Sequence, residues 1–600
     1  MPRSICFAIL LIGFAWSARA VTFEAADFGV VPGSDRDCTA ALQKAADEAA
    51  RHPGATLRLA PGTYHFHTRD ARQRLDYQSN TAPVPARRYA LLIENARRLT
   101  VDGQGATLMM HGEMSAVGMV NSENVTLKNV NIDWDCLPTS QATVVEQGSD
   151  WQMVTLEAKQ FPYIVSAGQL QMLMEGVPSR VWSTMEYDPV TGRNLGDGGG
   201  ISHAEELAPG RLKIWGARHV EKTGNVLALR HHNRTHAGIY VLDSRRVRIE
   251  NTELWATFGL GILFQKTADP VLDHVSVRAR PGAGLFVGPK DDGFHFSGCS
   301  GKILIDHCRV EDTPDDPVNI HGTYLPVDEQ PAPDTVHAHF GEGWSIGQSD
   351  WGHSGDSVTV IDRRTLLPVE RNIIKAFRLL DPKHPEVIFA HRFQHAITHD
   401  MALENLADTP DAVIRHSWFG NNRARGILCS TPGHVLIEDN TFAIQGSAIL
   451  IPGDANGWFE SGAVADVTIR HNTFDNCLIG PTQFTDGIIS IWPNTDQDVP
   501  GNYYHRHIRI EDNTFKLFDR PILYAHSVDG LVFSGNTLVK TDFRPPWHPV
   551  HDALTLRHCR EVRIEDNHAA GRLLSDDIVH PDTLVGEIHL DGHPLFKLER

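Results

Sequence analysis

A short motif recurs along this 600-residue chain, and few folds can hold a chain built that way. The unit is two apolar residues two apart, then Asn or Asp-Asn, then another apolar residue. Val435-Leu-Ile437-Glu-Asp-Asn440-Thr-Phe442 is one copy, and Val467-Thr-Ile469-Arg-His-Asn472-Thr-Phe474 is the next. Ile508 to Phe515, Leu531 to Leu538 and Val562 to Asn567 continue it, and Val125 to Val130, Val247 to Leu254 and Ile303 to Val310 precede it. Alternating apolar positions make a short, half-buried strand. Asn tolerates the left-handed conformation and bonds its neighbours in turns, so it is expected at a corner. One such coil cannot bury its inner face alone, whereas stacked coils can. Starts 23 residues apart (508 to 531), 31 or 32 fit one coil each, and 41 (467 to 508) implies a longer loop. A helical repeat is excluded because the apolar period is two. A β-sandwich also has many short strands, but it does not require one motif with Asn in a fixed slot. The expected fold is all-β, a right-handed parallel β-helix.

The first coils read the same way. Ala26-Asp-Phe28-Gly29-Val30 and Cys38 to Ala46 give a strand and a capping helix, followed by Leu57-Arg-Leu59-Ala-Pro61-Gly62 and Val101-Asp-Gly103-Gln-Gly105. This stretch resembles the opening of pectate-lyase-like β-helix proteins, a resemblance of fold and not of reaction. Two segments lack the Asn corner, 140–235 and 325–400, and read as antiparallel, barrel-like β insertions. The expected order is a leader over 1–20, N-terminal coils with a capping helix over 21–139, the first insertion over 140–235, central coils over 236–324, the second insertion over 325–400, and C-terminal coils over 401–600.

Residues 1–20 read as a signal peptide: Arg3, an apolar run from Ile5 to Trp16, then Ala18-Arg-Ala20. About 12 apolar residues are too few for a membrane span, which takes roughly 20. The expectation is a secreted or periplasmic, bacterial protein. Net charge is −19 before removal of Arg3 and Arg19 and −19 − 2 = −21 after it. Such a surface disfavours nucleic acid and membrane phosphates as partners. Cys6 leaves with the leader, and the seven remaining Cys, with no CxxC, read as buried small hydrophobes, with a local Cys299–Cys308 bridge as the alternative.

The chemistry is expected where carboxylates gather. Asp291-Asp292-Gly-Phe-His295 and Glu311-Asp312-Thr-Pro-Asp315-Asp316-Pro-Val-Asn319-Ile-His321-Gly322 flank the same repeat copy. Asp292 lies 23 residues before Asp315, one coil length, so Asp292 and the Asp315–Asp316 pair should sit on neighbouring coils. Glycoside hydrolysis needs one carboxylic acid to protonate the leaving oxygen and a carboxylate to activate water or attack carbon. Crowded carboxylates cannot all ionise cheaply, which keeps a proton available. A solvated Asp-Asp corner and a calcium site remain open as alternatives.

On these runs the chain resembles glycoside hydrolase family 110, together with Asn131-Ile-Asp133-Trp134-Asp135 and Gly457-Trp458-Phe-Glu460-Ser461-Gly462. The resemblance implies a β-helix with β-barrel insertions and an inverting exo-α-1,3-galactosidase acting on terminal galactose, as in blood group B glycans. It assigns the general acid to Asp315 and the water-activating pair to Asp292 and Asp316. It implies no metal or organic cofactor, and a neutral galactosyl oligosaccharide as partner. Inversion implies acid and base carboxyls roughly 6.5–9.5 Å apart. Further candidates for substrate contact are Trp134 and Trp458 by stacking, with a core Trp the alternative, and Asp133, Asp135, Glu460, His295, Asn319 and His321 by hydrogen bonds. Arg423 and Arg425 suit pairing with the aspartates. A polygalacturonase or pectate lyase acting on uronic acid polymers, or a non-catalytic glycan-binding β-helix, are the competing readings. The Gly-His-Gly and Arg-Ile-Lys tripeptides expected of a polygalacturonase are absent from the chain.

Overall fold

The computed structural model describes residues 21–84, 86–341, 343–480, 486–580, 585–591 and 594–598. The leader expected over 1–20 lies outside the described residues. Among them the chain winds into a parallel β-helix whose coils each contribute a strand to three stacked sheets. The first sheet runs through Lys302–Asp306, Asp411–Arg415, His434–Glu438 and Asp466–Arg470. The second runs through Arg309–Glu311, Trp418–Gly420, Thr441–Ala443 and Thr473–Asp475. The third runs through Ile262–Gln265, Phe294–Ser297, Val318–Thr323, Ile427–Cys429 and Ile449–Gly453. The helix Thr39–Ala50 caps the N-terminal end and buries Leu42, Ala45, Ala46 and Ala49.

Repetition in sequence becomes columns in space. Ile437, Ile469, Ile510, Phe533 and Ile564 stack in register in the first sheet, all buried. Phe419, Phe442, Phe474 and Phe515 stack in the second, with ring centroids 5.4, 5.1 and 4.6 Å apart. That spacing is the rise between neighbouring strands, about 4.8 Å.

The Asn of each copy does something other than what its turn propensity suggests. The left-handed residue is the one before it: Asp439, His471, Asp512 and Asp566 have φ of 57°, 55°, 56° and 56°. Asn440, Asn472, Asn513 and Asn536 are instead buried in a ladder. Each side-chain amide donates to the Oδ1 of the Asn one coil on, at 3.1 Å in all four steps to Asn567. Each Oδ1 beyond the first also takes the backbone N–H of the preceding Asn, as Asn472 Oδ1 takes Asn440 N at 3.0 Å. A buried amide left without partners costs about 1–3 kcal/mol, so the ladder holds only if every coil supplies one. In the earlier copies Asn129 and Asn251 do occupy the left-handed slot, with φ of 57° and 45°.

The insertions have cores of their own. The first is a seven-stranded antiparallel sheet from Thr139–Gln147 to Val226–Arg230, with a three-stranded sheet over 163–180 beside it. Val144, Val154, Leu212 and Leu227 fill its core. The second is a closed six-stranded barrel from Leu325–Ala332 to Met401–Asn405, packed around Trp351, Val358, Phe389 and Leu403. The first insertion leaves the helix between the second and third sheets, and the second leaves it directly after the third-sheet strand Val318–Thr323. They therefore border the outer face of the third sheet. All seven described cysteines are free thiols and six of them are buried, so the alternative bridge between Cys299 and Cys308 is not formed.

Candidate active site

The site is built at the corner entering the third sheet. Phe294 pairs with Val318 and Val318 with Ile427. Asp292, Asp316 and Arg425 each stand two residues before those positions, so they form a column over three successive coils. Backbone bonds fix the corner: Gly261 N to Asp292 O at 2.7 Å and Gly293 N to Asp316 O at 2.9 Å. The sequence reading matched Asp292 with Asp315 by spacing, whereas the register matches it with Asp316. Pro314 and Pro317 bracket the pair, and Thr313 Oγ1 and Asn422 Nδ2 donate to Asp315 O at 2.8 and 3.3 Å. This irregular corner lets adjacent residues face one point. One carboxylate oxygen from each of Asp292, Asp315 and Asp316 lies within 4.8 Å of the others.

The three carboxyls differ in environment. Asp292 and Asp316 side chains are 2% and 3% exposed, and Asp315 is 23% exposed. Burial, then the neighbouring Asp315 and Asp316, push Asp292 well above the usual carboxylate range. Its Oδ2 lies 2.7 Å from His295 Nδ1, and His295 Nε2 lies 2.9 Å from His321 Nε2. His321 Nδ1 is 2.6 Å from Gly322 O, so that nitrogen donates. Burial pushes His295 far below its ordinary pKa. Burial beside two further carboxyls favours the protonated form of Asp292.

Asp316 is pushed up to about 7 by burial, against the pull of Arg425. Arg425 donates to it twice, from N and Nη2, both at 2.8 Å. Asp315 is held below the carboxylate range: the guanidiniums of Arg423, Arg234, Arg425 and Arg230 outweigh its burial. Arg234 Nη1 stands 3.7 Å from Asp315 Oδ2. Arg423 Nε donates to Asp197 of the first insertion at 2.7 Å, which anchors it beside the corner. Carboxylate oxygens this close also suit a divalent cation. The donor set fits one poorly, because four guanidiniums already supply the positive charge.

Beneath the corner the second group assembles. Asn319 Nδ2 donates to Glu460 Oε1 at 3.0 Å, and His321 Nε2 lies 3.7 Å from the same oxygen. Antiparallel pairing of Thr323 with Glu460 brings that distant segment in. The structure thus unites Asp292, Asp315, Asp316, His295, Asn319, His321, Arg423, Arg425 and Glu460. Trp458 sits 52% exposed on the neighbouring turn, whose backbone N–H groups bond Asp454.

One expected residue does not serve as read, and two others have ion-pair partners of their own. Trp134 is 1% exposed in the helix core, packs on Phe258 and donates its indole N–H to Gly112 O, so it offers no face to a sugar. It ends a second-sheet strand, and strand alternation turned it inward. Asp133 spends its charge on Arg280, and Asp135 pairs with His111 at 2.7 Å.

Other groups come from both insertions and from the coil just before Asp292. Trp182, Arg230, Arg234, Lys290, Asp291 and Trp344 line a cavity of about 130 Å³ that Asp315 faces. Arg230 stacks on Trp182 at 4.2 Å and Arg234 on Trp344 at 4.4 Å. Lys290 is buried, and desolvation lowers it to about 7. The polar run His231-His-Asn-Arg234-Thr-His236, where the chain re-enters the helix, was the signal that marked this wall. Trp182, His232 and Asn233 also border a second chamber of about 550 Å³, lined further by Arg88, Glu113 and Arg180.

With this geometry in view, the relatives are informative. The chain is 36% identical to the "Alpha-1,3-galactosidase B" of Bacteroides thetaiotaomicron, over all of this chain and 99% of that one. It is 34% identical to the "Alpha-1,3-galactosidase A" of Bacteroides fragilis, over 93% of this chain and 94% of that one. The chain belongs to the α-1,3-galactosidase family, glycoside hydrolase family 110. Residues 140–227 match the model of GLAA-B beta-barrel domain I, the segment that brings Trp182 and Asp197 to the corner. Among solved structures, the mannuronan C-5 epimerase AlgE4 A-module of Azotobacter vinelandii is 10% identical, with a TM-score of 0.43 over 95% of this chain.

Proposed function

We propose that this protein is an exo-acting α-1,3-galactosidase that removes terminal galactose from neutral glycans, including blood group B-type ends, by single displacement with inversion. The observation that carries the reading is the trio of aspartates, mutually within 4.8 Å, at a cavity walled by both insertions and the central coil. A cavity of about 130 Å³ beside the trio suits a terminal sugar. The adjoining chamber of about 550 Å³ suits the leaving glycan.

In this reading Asp315, the carboxyl open to the cavity, delivers the proton to the leaving oxygen. Asp316 is the base, and Asp292 beside it holds the water. Two carboxyls side by side on adjacent coils can grip one water, whereas a covalent route needs a single nucleophile. The spacing does not itself carry inversion. The nearest oxygens lie within 4.8 Å, closer than the roughly 6.5–9.5 Å usual for inverting pairs. Time-resolved proton NMR of galactose release tests the outcome: β-galactose first supports single displacement, and α-galactose first overturns it.

A second assignment of roles is favoured by the electrostatics. Burial and the neighbouring carboxyls push Asp292 up, which favours its protonated form, while the guanidiniums hold Asp315 down. In that version Asp292 is the acid, and the first version requires the proton to reach Asp315 once sugar displaces water there. α-Galactosyl fluoride separates them, since fluoride leaves without protonation. Asp315→Ala keeps most activity on the fluoride if Asp315 is the acid. Loss of fluoride hydrolysis in Asp315→Ala, with retention in Asp292→Ala, reverses the roles.

A further inference from the structure

The outer face that carries His321 continues along the third sheet to a cluster remote from the aspartates. Ile320 pairs with Cys429, Leu428 with Leu450 and Ile451 with Ile491. Trp492 therefore stands three strands beyond His321 on the same face, about 14 Å away at the usual strand spacing. It is 42% exposed. It lines a cavity of about 160 Å³ with Thr495, Asp496, Asp498, His526 and Arg557. The loop forming one wall is fixed at both sides. Asn494 N donates to Gly453 O at 2.7 Å, and Asp496 N to Arg364 O of the second insertion at 2.8 Å. Asp498 Oδ1 lies 2.7 Å from His526 Nε2, which orients the carboxylate. Thr495 Oγ1 is buried without a hydrogen-bond partner among the described residues.

We propose that this cluster is a second carbohydrate site, separate from the catalytic one, that binds a neutral pyranose of a glycan. An indole face packs on the C–H face of a sugar ring, and its rim of planar polar groups suits paired hydroxyls. Two carboxylates against one guanidinium leave the cluster anionic, which disfavours uronic acids and sulfated sugars. At about 14 Å from His321 the bound sugar is not the one cleaved. The site would hold a glycan-coated surface near the catalytic corner and raise the effective concentration of chain ends. The proposal does not rest on the catalytic roles above.

The test is fluorine NMR of the full protein labelled with 5-fluorotryptophan, titrated with lactose and, separately, with galacturonate. The Trp492 resonance is the one missing from Trp492→Phe. It should shift saturably with lactose and much less with galacturonate, and Asp498→Asn should weaken lactose binding about tenfold, the loss of one hydrogen bond to a charged group. Both variants should leave the hydrolysis of a soluble trisaccharide unchanged. A Trp492 resonance indifferent to lactose, an equal response to galacturonate, or full affinity in Asp498→Asn overturns the proposal.

Discussion

Arg425 is where the electrostatics of the trio can be moved without touching a carboxyl. Arg425→Met keeps the apolar length of the side chain and removes the guanidinium that donates to Asp316 at 2.8 Å, while the backbone bond to Asp316 survives. A hydrogen bond to a charged group contributes about 1.5–3 kcal/mol. At about 1.4 kcal/mol per pKa unit this raises Asp316 by roughly one to two units from its value of about 7. If Asp316 is the base, it works only when ionised. The acidic limb of kcat/KM against pH, measured on an α-1,3-galactosyl disaccharide, should then move from about 7 to roughly 8–9. Activity at high pH should recover to within a small factor of wild type. Stability responds with the same sign. A carboxyl whose folded pKa lies above the unfolded value near 3.9 loses stability as pH rises through the folded pKa. In Arg425→Met that loss extends to higher pH, so the variant should be nearly as stable as wild type at pH 6 and clearly weaker at pH 9. An acidic limb that stays in place, or moves to lower pH, refutes the assignment of Asp316 as the base.

Three further outcomes follow from the packing. Asp292→Asn should abolish hydrolysis yet raise the melting temperature, with a gain that grows as pH rises above the unfolded value near 3.9. The wild-type carboxyl is held well above its unfolded pKa and loses stability as pH rises towards its folded pKa, while the amide does not titrate. Asn513→Ala removes the acceptor of Asn472 N and Nδ2 and the donor to Ile469 O and Asn536 Oδ1. It should cost about 3–5 kcal/mol in urea unfolding, several times one net hydrogen bond, and a loss under 1 kcal/mol would deny the ladder its structural role. Trp134→Leu should lower stability by about 2–4 kcal/mol as a core truncation and leave KM near wild type. A large rise in KM at unchanged stability would restore Trp134 as a sugar contact.

The β-helix was legible because a solenoid repeats its local rules. Each copy writes the same alternation, and the columns at Ile437 and Phe442 are that alternation stacked. The sequence also located the aspartate corner, since Asp292 and Asp315–Asp316 are one coil apart. It could not say which carboxyl holds a proton. That depends on Arg234 and Arg230 from the first insertion, Arg423 and Arg425 from the next coil, and a histidine pair joined across strands. The inward face of Trp134 was legible in the alternation Val130, Ile132, Trp134, though the resemblance drew it to the site. Glu460 and Trp182 reach the site through antiparallel pairing and an inserted sheet, contacts set by tertiary packing over long sequence separation. Periodicity fixes what recurs every coil. Charge, burial and proton position at a single corner arise where non-repeating segments converge, and only the folded chain brings those together.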